Sequence, residues 1–126
     1  MATFNAFEEL EVWKKSRLFA NAIYDLTGMF NDRVLKAQMR RSVLSIGGNI
    51  SEGFERDGNR EFIQFLSMAK GSCGELKNYI YFARDRNYIS QKQYQKSLED
   101  AEKIRTALGG FINYLRKTGI KGLKYK

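Results

Sequence analysis

Apolar residues recur every three or four positions through four long stretches of the chain, separated by short polar segments that carry glycine or asparagine. The first stretch, residues 7–29, places Leu10, Trp13, Ser16, Ala20, Ile23 and Thr27 on one face. The second, 32–53, does the same with Leu35, Met39, Val43, Ile46 and Ile50. The third, 59–86, runs Phe62, Leu66, Ala69, Cys73, Leu76, Ile80 and Ala83 in alternating steps of four and three, a heptad seam. The fourth, 90–117, carries Tyr94, Leu98, Ala101, Ile104, Leu108, Phe111 and Leu115. This is the period of a helix, and no stretch alternates with period two over a useful length. Between them "TGMFND", "GFERDGN" and "RNYIS" read as turns. Gly28 is a plausible helix end, and Asn31 or Asp32, then Asn59, then Ser90 are the expected caps of the helices that follow. Amphipathic helices joined by short turns predict an all-α, antiparallel up-down-up-down four-helix bundle. The bundle is expected as a single domain over residues 1–117, with a basic C-terminal tail at 118–126.

Beside the apolar seam of the second helix runs a polar row: Gln38, Arg41, Ser45, Asn49 and Glu52. The third helix has a matching flank with Ser72 and Glu75. The expected structural role is a network between the two helices, with Arg41 paired to a carboxylate and the hydroxyls and amide completing the bonds. Half-buried polar groups need such partners. A second reading takes Glu52 and Glu75 as paired carboxylates for acid–base or metal chemistry. The glycines of "SIGGNISEGFERDGN" fall within a helical repeat, and the Lys-Ser/Thr of a phosphate loop is missing, so neither nucleotide-binding fingerprint fits.

Two helices carry more apolar surface than one stripe requires. Val12, Phe19 and Leu26 form a second row on the first, and Phe65, Met68, Tyr79 and Phe82 a second row on the third. Large exposed apolar patches are disfavoured on soluble monomers, so these seven residues are expected at a homo-oligomer interface. A single wide core is the alternative.

Composition narrows the chemistry. The chain of 126 residues contains no histidine and one cysteine, which makes a zinc or iron–sulfur site and an internal disulfide poor readings. No proline interrupts a helix. No apolar run approaches the ~18 residues of a membrane span and no signal-peptide pattern opens the chain, so a cytoplasmic location is expected. Neither a metal, a cofactor nor a catalytic residue is assigned. The net charge is +8, from 22 basic and 14 acidic residues. Arg116, Lys117, Lys121, Lys124 and Lys126 crowd the last eleven positions without an acidic residue among them. Such a tail serves solubility or attracts phosphates or an acidic partner.

The segments "FEELEVWKKS" and "QMRRSVLSIGGNISEGFERDGNREFIQFLSMAKGSCGEL" resemble the 23S rRNA-intervening-sequence proteins, a bacterial four-helix-bundle family. The marks are Leu10, Val12 and Trp13; Gln38 and Arg41; Ser45, Asn49, Glu52 and Gly53; Glu61 and Phe62; and Ser72 with Glu75. The resemblance spans roughly residues 7–117, with one departure: glycine stands at position 47, where the family often has proline. It implies antiparallel bundles assembled as pentameric rings, with no established enzymatic activity. A related branch, the accessory proteins of diversity-generating retroelements, binds nucleic acid and a reverse transcriptase through a basic pentamer surface.

Three functions compete. An RNA-binding or ribonucleoprotein-associated oligomer would place Lys14, Lys15, Arg17, Arg40, Lys121, Lys124 and Lys126 on phosphates. A protein-interaction scaffold would hold a partner such as a polymerase or reverse transcriptase without touching nucleic acid. An enzyme would require an accessible Glu52–Glu75 pair.

Overall fold

A computed structural model describes residues 4–118. A 3-10 turn, Phe7–Glu9, leads into α1 (Glu11–Thr27), α2 (Arg33–Glu55), α3 (Asn59–Asp85) and α4 (Gln91–Thr118). There is no strand among the described residues. The first helix starts later than the periodicity suggests. Leu10 is extended (φ −76°, ψ 129°) and buried, so the chain turns inward there and the helix begins after it.

Local chemistry explains the ends. The Asp32 carboxylate accepts from the Leu35 N–H at 3.0 Å and caps α2. Ser90 and Gln93 cap α4 reciprocally, Gln93 N–H to Ser90 Oγ at 3.1 Å and Ser90 N–H to Gln93 Oε1 at 2.8 Å. The cap of α3 is a correction. Gly58, not Asn59, occupies the N-cap, with φ 81° and ψ 160°, a backbone region that essentially only glycine enters. Asn59 is already helical, and its side-chain amide is buried without a hydrogen-bond partner among the described residues.

Contacts run in opposite senses along each neighbouring pair. Ser16 and Thr27 of α1 meet Gly47 and Arg40 of α2. Ser42 and Ser45 of α2 meet Glu75 and Ser72 of α3. Phe62 and Lys77 of α3 meet Phe111 and Glu102 of α4. The helices are therefore antiparallel neighbours, α1 returns against α4, and no Cα atoms of the diagonal pairs come within 8 Å among the described residues.

The core follows the seams. Met39, Val43, Ile46, Ile50, Leu66, Cys73, Leu76, Ile80 and Leu108 are completely buried. Each large apolar side chain among them contributes about 1.5–3 kcal/mol. On α4, Ser97 and Ile112 are buried, while Leu98 and Phe111 lie at the core's edge. Val12 and Phe19, expected at a subunit interface, are also buried within the single chain. Each helix of a four-membered ring meets two neighbours, so α1 needs one apolar row toward α2 and another toward α4. Leu26, half-buried, continues that second row.

Candidate nucleic-acid interface

The polar row does meet its flank on α3, with different partners from those expected. Ser45 Oγ and Ser72 Oγ share a hydrogen bond of 2.8 Å, and Asn49 Nδ2 donates to Ser45 Oγ at 3.0 Å. The Glu75 carboxylate accepts from Ser42 Oγ at 3.2 Å and from the Tyr79 hydroxyl at 3.3 Å. Burial and the neighbouring Glu75 charge raise the Tyr79 pKa above its ordinary value. The Gln38 carbonyl accepts from Ser42 at 2.9 Å. Arg41 is exposed and forms no ion pair among the described residues. At about 100° per residue, Arg41 lies about 160° around the helix from Met39, whereas Ser42 lies only about 60° away. Ser42, which the pattern did not single out, therefore takes the inner place.

Glu52 faces away from this network, toward Arg56 at 2.8 Å; Arg56 also reaches Glu61 at 3.6 Å and its guanidinium lies 5.0 Å from the Phe65 ring centroid. Since Ser42 faces Glu75 and the helices are antiparallel, Glu52 sits opposite the region of Phe65. Ten helical residues, roughly 15 Å of rise, then separate it from Glu75. Even carboxylates that hold a water between them span no more than about 9.5 Å. The two glutamates do not form a catalytic pair. Among the described residues no group of three or more His, Cys, Asp or Glu is placed to hold a metal ion.

The expected phosphate contacts divide. Lys14 is exposed and pairs with Glu11 at 3.5 Å. Lys15 is exposed on the rim of a cavity of about 720 Å³ between α1 and α4. The Arg17 guanidinium lies 5.8 Å from the centroid of the Trp13 ring. Arg40 is half-buried and engaged within the chain: its Nε donates to Thr27 Oγ1 at 2.9 Å, its Nη2 to the Tyr24 carbonyl at 3.0 Å, and it stacks 4.3 Å from the Tyr24 ring centroid. It closes the C-terminal end of α1, where carbonyls lack helical partners. Lys121, Lys124 and Lys126 lie outside the described residues.

A second basic group escaped the sequence pattern. Lys70, Arg105 and Arg116 line a cavity of about 430 Å³ between α3 and α4, with Ser67, Gly71, Gly109, Ile112 and Asn113. The signal was present in the eleven-residue spacing of Arg105 and Arg116, which returns to nearly the same helix face. Recognising it required knowing which α3 residues lie opposite.

Of the apolar flank on α3, Phe65 and Tyr79 are half-buried, while Met68 and Phe82 are 54% and 48% exposed. These four stay on the α2–α3 side of the bundle. No helix among the described residues is long and apolar enough to cross a membrane.

No curated protein matches the chain. Among solved structures, the chain resembles a protein of unknown function from the S23 ribosomal protein family of Bacteroides thetaiotaomicron VPI-5482. The two share 28% identity with a TM-score of 0.76, over 80% of this chain and 97% of the other. The profile of the 23S rRNA-intervening sequence proteins matches residues 8–110. The fold and the match across most of the chain agree: the chain belongs to the 23S rRNA-intervening sequence protein family.

Proposed function

We propose that the protein is a non-enzymatic homo-oligomer that binds RNA, or a ribonucleoprotein, through a basic surface. Uncompensated charge carries this reading. Lys and Arg exceed Asp and Glu by eight, and Lys15, Arg17, Lys70 and Arg116 have no ion-pair partner among the described residues. Positive charge without local carboxylates attracts polyanions and releases their counterions on binding. The Glu52–Glu75 separation supports the non-enzymatic half of the proposal. Assembly would use Phe65, Met68, Tyr79 and Phe82 on the α2–α3 face, and a pentamer, as the family resemblance implies, would raise the charge of one particle about fivefold.

The second reading is a protein-interaction scaffold for a polymerase-like partner, favoured by the exposure of Met68 and Phe82. The test is affinity for mixed-sequence single-stranded RNA across a salt series. Micromolar binding with a log–log slope near −0.7 per phosphate contact is expected. Negligible binding at low salt overturns the RNA reading and leaves the scaffold. Replacing Lys121, Lys124 and Lys126 with glutamine then separates the tail's share from that of the bundle.

A further inference from the structure

The α3–α4 groove has features that the general excess of charge does not explain. Its α4 wall is built by Arg105, Gly109, Asn113 and Arg116, and its α3 wall by Ser67, Lys70 and Gly71. Among the described residues no carboxylate lines it. At its far end Glu102 accepts from Arg105 Nε at 2.9 Å and Nη2 at 3.1 Å, and also from Lys77 Nζ. Two cations, Arg105 and Lys77, thus share one carboxylate. Arg105 spends two of its donors there and keeps the others, while Lys70 and Arg116 have no ion pair among the described residues. Ser67 and Asn113 likewise have no side-chain hydrogen bond among the described residues.

The shape suits a strand rather than a point charge. Arg105 and Arg116 are eleven residues apart on one face of α4, about 16 Å along the groove. At ~3.4 Å of rise per phosphate in a stacked strand, that length takes in several successive phosphates. Gly71 and Gly109 keep the floor low: a Cβ added at either meets nothing within 4 Å, so the fold does not demand glycine there and a side chain would project into open space.

We propose that the α3–α4 groove is a phosphate track for one strand of nucleic acid, with Lys70, Arg105 and Arg116 as phosphate contacts and Ser67 and Asn113 as neutral donors. The proposal rests on the RNA-binding reading and localises it. Contacts of this kind position a backbone without reading bases, so affinity is insensitive to sequence.

The experiment compares three full-length chains on one mixed-sequence single-stranded RNA over a salt series: the wild type, Lys70→Gln/Arg116→Gln, and Lys92→Gln/Lys103→Gln. The last pair removes the same charge from the opposite side of α4. Circular dichroism melts establish that each is folded. The groove variant is expected to bind at least tenfold more weakly at low salt, with the slope reduced by about 1.4 for two lost contacts. The control is expected to stay within twofold at low salt. If the wild type binds and both variants lose affinity equally, or neither does, the groove assignment is overturned while RNA binding stands. If the wild type does not bind, both readings fall. A mononucleotide that competes as well as the oligonucleotide, per mole, overturns the strand in favour of a single-phosphate site.

Discussion

Arg40 Nε donates to Thr27 Oγ1 at 2.9 Å, across the turn that joins α1 to α2. Together with its bond to the Tyr24 carbonyl, this makes Arg40 a buttress for the end of α1. Arg40→Met removes a charged donor from the Thr27 hydroxyl and the Tyr24 carbonyl, and is expected to destabilise the fold by about 1–3 kcal/mol in urea denaturation. Arg40→Lys recovers only part of that, because an ammonium group cannot reproduce the planar fork. A neutral result for Arg40→Met would rule out the buttress role.

The glycines of α2 are not equivalent. A Cβ at Gly53 would lie 2.5 Å from the Phe65 Cβ, whereas one at Gly48 meets nothing within 4 Å. Gly53→Ala therefore forces α2 and α3 apart and costs about 1–3 kcal/mol. Gly48→Ala stabilises by up to ~1 kcal/mol through helix propensity alone. Thermal melts of the two variants should move in opposite directions, and a shift in the same direction would contradict the close approach.

Glu102 supplies the acid-sensitive joint between α3 and α4. Hydrogen bonds from Arg105 and Lys77 hold its carboxyl at about 2, below its ordinary 4.5. A depressed carboxylate contributes stability above its unfolded pKa and loses that contribution as pH falls toward the folded value. The carboxylate is 40% exposed, so Glu102→Gln should cost no more than about 1 kcal/mol at pH 7. The gap between wild type and variant should be constant above pH 5 and close between 4.5 and 2. A gap that widens on acidification would rule out this assignment.

Cys73 is completely buried, and its thiol is pushed up to about 12 chiefly by that burial. A thiol kept protonated and enclosed is a poor nucleophile. The native chain at pH 8 should resist iodoacetamide and become reactive only with denaturant, in step with loss of helicity by circular dichroism. Rapid labelling of the folded chain would show that the α3 seam opens.

The seams were legible in the sequence because core positions repeat with the helix itself: Met39 to Ile50 and Phe62 to Ala83 are buried as the periodicity predicts. Turn chemistry was legible where a side chain does the capping, at Asp32 and Ser90, and misleading at Gly58, where backbone freedom does it. Polar partners were harder to read. A helical wheel has no knowledge of the neighbour's register, so Ser42 and Arg41 exchanged roles through a difference of one residue. The double apolar row of α1 was misread for a related reason: periodicity reports how much surface is apolar but not how many neighbours in the same chain cover it. Lys70 and Arg105 meet only through packing of α3 on α4, which no single helix encodes.

The wide cavity between α1 and α4 also bears on how the chain breathes. Three of the four joints in the ring are tied by a covalent turn, while this one holds by side chains alone and is the least closely packed. Local opening draws on the regions with the fewest buried contacts. Amide exchange should therefore be fastest along α1 and on the α4 edge that faces it, and slowest in the α2–α3 hairpin. The two terminal helices part first, like a clasp, while the hairpin persists as the last cooperative unit.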